Sequence, residues 1–381
     1  MDFELTQEQR MFQDAVRKFA QKEIAPLVDE AEEKERFPLQ LFPMMGDLGY
    51  LCVGYPRKYG AAEMGKLSEC LMVEEVARVC GGISSAIMVH SGIGSSLICD
   101  HGSEELKQKF LVPAIQGKKI GAFGLTEPNA GSDAAAIQTT AKKDGDEYVI
   151  NGTKTFITNG PICDYVLVAA YTDRSKGPRA GVSVFVVEKG TPGFTMARHL
   201  SKVGNRSGET GELAFQDCRV PATRLIGEEG KGFPYLMGSL AAGRISHAGR
   251  SVGISQAAYD ASVKYAQERV QFGQPIGKFQ AIAFKVANMA TELEAARWLS
   301  YRAAWLYDQK RPCMKEASMC KLFASEVAIK ATNEAMQIHA GYGYMMESPV
   351  QRYFRDARLY TITEGTSEIQ LQVIARDIGL L

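Results

Sequence analysis

The hydrophobic period of this chain switches twice, and that switch limits the possible folds more than any single motif. Thr6 with Gln9 has the form of a capping box, and Phe12, Val16, Phe19 and Ile24 follow at helical spacing. The helical period runs on to about residue 118, broken at Phe37-Pro38, Gly54-Tyr55-Pro56 and Gly92-Ile93-Gly94. Between about 119 and 235 it gives way to β-branched and aromatic runs, YVINGTKTFIT, YVLVAAY, GVSVFVVEKG and GELAFQDCRV, punctuated by glycine, proline and aspartate. After Gly232 the helical period returns in residues 254–267, 281–309 and 315–340. The expected fold is α+β and mainly α: an N-terminal helical domain (1–118), a central antiparallel β domain (119–235) and a C-terminal four-helix bundle (236–381).

Composition narrows the function classes. With 381 residues, 45% of them hydrophobic, the chain exceeds the usual size of one core and predicts two or three packed subdomains. Lysine plus arginine equals aspartate plus glutamate at 44 each, so no overall charge favours nucleic acid or an anionic membrane surface. The eight cysteines are scattered without CxxC pairs or metal-type spacing, which predicts reduced thiols in a cytoplasmic or mitochondrial-matrix compartment. MDFELTQEQR lacks the basic start and apolar run of a signal peptide, and no later stretch reads as a membrane span.

Five segments can carry chemistry. FGLTEPNAGSD (Phe123 to Asp133) can present backbone N–H groups and the Thr126 and Ser132 hydroxyls to a ring edge or phosphate, or it is a plain exposed turn. GTKTFITNG places Phe156 and Thr158 on one face of a strand, either as a wall for a flat polar ring or as core beside surface. Arg269 in ERVQFGQPIGKFQ either grips a phosphate or closes a helix through its dipole. QIHAGYGY ends a long helix on glycines, as a stop or a binding turn. In RDARLYTITEGTSEIQ, Glu364 sits before Gly365 in a connection where partial burial would lift its pKa toward that of a general base; it could equally be solvated, with Thr366 capping the next helix.

Taken together and in this order, FGLTEPNAGSD, TFITNG, GELAFQDCRVP with GEEGKGF, ERVQFGQPIGKFQ, QIHAGYGY and ITEGTSEIQ resemble the acyl-CoA dehydrogenase family over essentially the full length. The resemblance implies a homotetramer that uses FAD to oxidise an acyl-CoA to its trans-2,3-enoyl form and passes the electrons to an electron-transfer flavoprotein. It implies that Glu364 is the base, and that Phe123, Leu125, Thr126, Gly131 and Ser132 line the flavin, with Ser132 also near the CoA arm. Phe156 would form the flavin wall and Thr158 would meet flavin N5. Arg269, Phe272, Gln280, Gln337 and Gly341 would reach the ADP half of FAD on a neighbouring subunit; Thr366 and Glu368 would touch FAD after the base. Arg244, in AAGRISHAG, would support CoA binding, and Gly365 would bind substrate. In some relatives the base comes from the position of Gly243, so here Glu364 has no competitor.

Two departures stand out: Tyr59-Gly60-Ala61-Ala62 replaces a paired-glycine pattern, and Thr363 stands where a tyrosine is common. The second suggests room for branched or cyclic acyl groups. Competing readings are an oxidase that hands electrons to oxygen, a flavin-free ligand-binding bundle, and a di-iron carboxylate bundle; the last lacks any Glu-x-x-His pair on the C-terminal helices.

Overall fold

The computed structural model describes residues 4–381. Helix α1 (Gln7–Phe19) starts on Thr6, whose hydroxyl accepts the Gln9 N–H at 3.2 Å while the Gln9 side chain accepts the Thr6 N–H at 2.9 Å. Helices α2 (Val28–Lys34), α3 (Leu41–Asp47), α4 (Gly65–Val79), α5 (Gly81–Ser91), α6 (Ser96–His101) and the short α7 (Glu104–Leu106) and α8 (Val112–Ile115) follow, and the three expected breaks fall between them.

The middle of the chain forms seven strands: β1 (Gly121–Gly124), β2 (Thr140–Asp144), β3 (Glu147–Thr158), β4 (Tyr165–Tyr171), β5 (Val182–Glu188), β6 (Phe194–His199) and β7 (Thr210–Pro221), with the small helix α9 (Pro178–Gly181) before β5. The sheet departs from the all-antiparallel expectation at two places, both along β4. β1 runs parallel to β4, from Gly121 opposite Tyr165 to Gly124 opposite Val168, and Thr140 of β2 meets Tyr171 in parallel. The β2–β3 hairpin lies between β1 and β4 in sequence and gives the chain the length a parallel crossover needs. All of β4 is buried, which is why YVLVAAY shows no alternation. β1, β2 and β6 went unread in the sequence; GAFG, TAKKD and FTMARH are short or exposed and carry few β-branched residues.

Helix α10 (Gly232–Glu268) is the axis of the C-terminal region. After it come the small hairpin β8 (Val270–Gln271) and β9 (Gln274–Pro275), then α11 (Gln280–Asp308), α12 (Met314–His339), α13 (Pro349–Ala357) and α14 (Ser367–Asp377). α10 begins well before the expected residue 254, through a glycine- and serine-rich stretch of poor intrinsic helicity. Tertiary packing decides the matter: a Cβ on Gly249 would lie 2.7 Å from the Cys70 Sγ, and one on Gly253 would lie 2.2 Å from the Glu74 carbonyl oxygen. The glycines let α10 press against α4, and buried contacts replace propensity as the source of helix stability.

Residues Gly81–His101 have a mean hydropathy of 1.3 and enough length to cross a bilayer, a stretch the sequence reading passed over. They are 72% buried inside the protein and fold as α5 and α6, so they are core. His90 on α5 ties helices to sheet: its Nδ1 accepts the Gly121 N–H at 3.1 Å, which leaves Nε2 to donate to the Ala114 carbonyl at 3.1 Å. Burial pushes its pKa down to about 4, and the ring stays neutral.

Candidate active site

Glu364 sits in a turn that the chain holds from behind. It adopts φ 57°, and Gly365 follows at φ 86°, so two successive left-handed residues reverse the backbone before α14. For a glutamate this conformation costs free energy and persists only where its surroundings enforce it. The Gln370 side chain, fully buried, donates to the carbonyls of both Glu364 and Gly365 at 2.9 Å, and Lys321 Nζ donates to the Gly365 carbonyl at 2.8 Å. Thr366 is the N-cap of α14, accepting the Ile369 N–H. Among the described residues no acceptor meets the Glu364 N–H.

The carboxylate opens into a cleft of about 540 Å³ between α4, α5, α6 and α10. It lies over Gly243: a Cβ there would fall 2.9 Å from Glu364 Oε2, so a larger residue would push the carboxylate from its present position. Burial pushes the Glu364 pKa up from the ordinary carboxylate range, while the charges of Arg244, Arg250, Lys321 and Lys66 pull the other way. Burial also lowers Lys321 to about 8. Arg250, fully buried on α10, donates to His247 Nε2 at 2.8 Å and lies 4.1 Å from the Tyr360 ring centroid. Burial, then Arg250, keeps His247 neutral. Its Nε2 also lies 2.8 Å from Thr363 Oγ1, so the Thr363 hydroxyl turns toward α10 and away from the cleft wall where a tyrosine ring was expected to be missing.

The sequence-derived residues fall into two groups. Phe123, Leu125 and Thr126 leave the end of β1 half-buried, and Gly131 and Ser132 are exposed beyond them. This loop is fixed from below by Lys154, which donates to the Leu125 carbonyl and to Glu127 at 3.1 and 2.7 Å, while the Thr155 N–H bonds the Thr126 carbonyl. The register of β3 against β7 slips between Lys154 and Ile157, and Phe156 sits in that bulge at φ 59°. The simple alternation expected for Phe156 and Thr158 is therefore broken: Phe156 is 69% exposed and Thr158 half-buried. A bare aromatic face beside hydroxyls and a glycine loop fits the edge and face of a flavin ring.

The second group, Arg269, Phe272, Gln280, Gln337 and Gly341, gathers at the far ends of α10, α11 and α12. Arg269 lies 5.6 Å from the Tyr342 ring centroid, and Phe272, Tyr342 and Tyr344 are 93%, 63% and 76% exposed. The helix stop is not the expected glycine: Ala340 takes the positive φ of 52°, and Gly341 follows it. Arg244 is buried, donating to Ser318 Oγ at 2.9 Å and to Met314 Sδ, and meets Glu364 through its charge. Glu368 is exposed in the first turn of α14. The sequence gives Gln370, Lys321, His247 and Arg250 no role: Gln370 lies in ITEGTSEIQ and His247 beside Arg244 in AAGRISHAG, but helix position alone does not mark what they bond.

Comparison with known proteins gives these observations a place. The chain matches the acyl-CoA dehydrogenase N-terminal domain over residues 6–118, the middle domain over 122–218 and the C-terminal domain over 230–379. A probable acyl-CoA dehydrogenase of Bacillus subtilis is 48% identical over 99% of this chain and 100% of its own length. The structure of butyryl-CoA dehydrogenase from Megasphaera elsdenii superposes with a TM-score of 0.96 at 43% identity, covering 99% and 100% of the two chains. A chain from the structural work on the electron transferring flavoprotein of Acidaminococcus fermentans superposes at 0.97 with 44% identity over all of both chains. Fold and site define an FAD-dependent oxidoreductase. Within that class, the chain belongs to the acyl-CoA dehydrogenase family.

Proposed function

We propose that this enzyme oxidises a short acyl-CoA at its α,β bond, with Glu364 as the base that removes the α-proton. The observation that carries the reading is the Glu364 carboxylate, lifted in pKa by burial and facing the cleft over Gly243. A raised pKa makes the carboxylate a stronger base once ionised, and the nearby cations oppose the rise. The unshared Glu364 N–H would bond the thioester carbonyl, where negative charge grows as the proton leaves. When bound, FAD supplies the two-electron acceptor for the hydrogen that leaves the β-carbon. Phe156, Thr158 and Thr126 would hold its ring against the substrate, Thr366 and Glu368 would border it beyond the base, and Ser132 would meet the CoA arm.

The similarity to butyryl-CoA dehydrogenase and to the chain solved with electron transferring flavoprotein work supports a short acyl chain and an electron-transfer flavoprotein as acceptor. The eight cysteines are all free, which supports a reducing compartment, cytoplasmic or matrix. The test is Glu364→Gln, mixed with butyryl-CoA without oxygen while the flavin absorbance is followed. Reduction should slow by a factor on the order of 10²–10⁴ with FAD still bound. Reduction at the wild-type rate would remove Glu364 as base.

A further inference from the structure

Beside an apolar lining that includes Met88, Val89, Ile93 and Leu240, the cleft below Glu364 carries a polar cluster that a plain hydrocarbon chain leaves unused. Lys66 and Glu69, one turn apart on α4, line it with side chains only 7% and 6% exposed, and Lys66 Nζ bonds Glu69 Oε1 at 2.7 Å. Ser246 on α10 donates to the same oxygen at 2.7 Å. These bonds leave the cluster unsaturated. The Lys66 ammonium has three N–H groups and uses one; Glu69 Oε2 has no donor among the described residues. Covering such atoms with a methyl terminus would strand them, whereas a substrate group that both donates and accepts would complete them.

Position sets where that group must sit. Ser246 follows Gly243 by three residues, so the Glu69–Ser246 contact lies about 4.5 Å along α10 from the point where Glu364 meets the α-carbon. That spans roughly three to four single bonds of a bent chain. Charge sets what the group is. Arg244, Arg250 and Lys321 act on Glu364 itself, while the rest of the lining presents Glu69, Asp100 and Asp308 against Lys66 and Lys310, so a carboxylate seated beside Glu69 would meet an excess of like charge. A terminal ammonium would have to displace Lys66 from Glu69.

We propose that Lys66, Glu69 and Ser246 form a subsite for a neutral hydroxyl on the fourth or fifth carbon of the acyl group, so the preferred substrates are short ω-hydroxyacyl-CoA thioesters. The inference rests on the dehydrogenase reading above and leaves the oxidation step itself unchanged. The test measures kcat/KM of the holoenzyme for 4-hydroxybutyryl- and 5-hydroxyvaleryl-CoA against their methyl isosteres, valeryl- and hexanoyl-CoA, with butyryl- and glutaryl-CoA alongside. The hydroxylated thioesters should lead their isosteres by about 10- to 100-fold. Removing both charges together in Lys66→Met/Glu69→Leu, which strands neither, should bring the ratio near unity or invert it. Ser246→Ala should lower it independently if the double variant does not fold. Preference for the methyl isosteres, preference for glutaryl-CoA, or a ratio that survives both changes overturns the subsite. Flavin reduction by butyryl-CoA with no hydroxyl preference sinks this inference alone. Failure of every thioester to reduce the flavin sinks the dehydrogenase reading with it.

Discussion

Glu364 shows how a single residue is set against the stability of its own fold. Its backbone is left-handed, its half-buried side chain faces the cleft, and Gln370 and Lys321 hold the turn through main-chain carbonyls. Because its folded pKa is raised, the stability it contributes is full below the unfolded-state pKa and is lost as pH rises through the folded one. Glu364→Gln should therefore melt higher than wild type at pH 7, with the difference closing toward acid pH. Equal melting curves at both would mean the carboxylate is not strained by burial. Lys321 has the opposite influence on the same group. Lys321→Met removes a cation that favours the ionised carboxylate, so the acidic limb of kcat/KM should move to higher pH. A limb that stays put would reduce Lys321 to a prop for Gly365.

At the scale of elements, the contact of α4 with α10 governs the site, because one presents Lys66 and Glu69 and the other Gly243 and Ser246. Its closeness rests on small residues: Gly253 meets the Glu74 carbonyl, and Glu74 is buried yet bonded to Tyr301 at 2.8 Å and Arg297 at 3.3 Å. Gly253→Ala gains roughly 1 kcal/mol of helix propensity, but its Cβ falls 2.2 Å from that oxygen. Overpacking typically costs about 1–3 kcal/mol, so the variant should unfold at lower urea concentration than wild type. A midpoint at or above wild type would show that α10 can move off α4 freely. The β3 bulge follows the same logic, since a backbone slip at Phe156 decides which way the ring faces and strand periodicity cannot report it.

For the whole molecule, the second group of sequence-derived residues stands away from the base. Arg269, the C-cap of α10, lies 26 residues beyond Gly243, a helix rise of about 39 Å. The bare Phe272, Tyr342 and Tyr344 around Arg269 form an apolar surface of the kind that partner subunits cover. These features support the proposed homotetramer, with each flavin held by one chain and its ADP half met by a neighbour. Arg269→Ala should then weaken FAD retention and assembly together, read by flavin absorbance after gel filtration and by elution volume. Loss of neither would leave the arginine a helix-end charge.

The sequence by itself determined the order of helical, sheet and helical regions, because period and β-branched runs are local properties that each segment carries alone. It also determined the family, since ITEGTSEIQ and FGLTEPNAGSD are contiguous. What only the tertiary structure decided depends on atoms brought together from distant segments. The parallel pairing of β1 with β4, the early start of α10 on Gly249 and Gly253, and the inward turn of Thr363 toward His247 are all settled by a partner far along the chain. The polar floor of the cleft is the same kind of fact. Lys66 and Glu69 stand one turn apart on α4, and only when α10 brings Ser246 to Glu69 and the turn before α14 brings Glu364 to the same cleft does the buried pair become a constraint on the substrate.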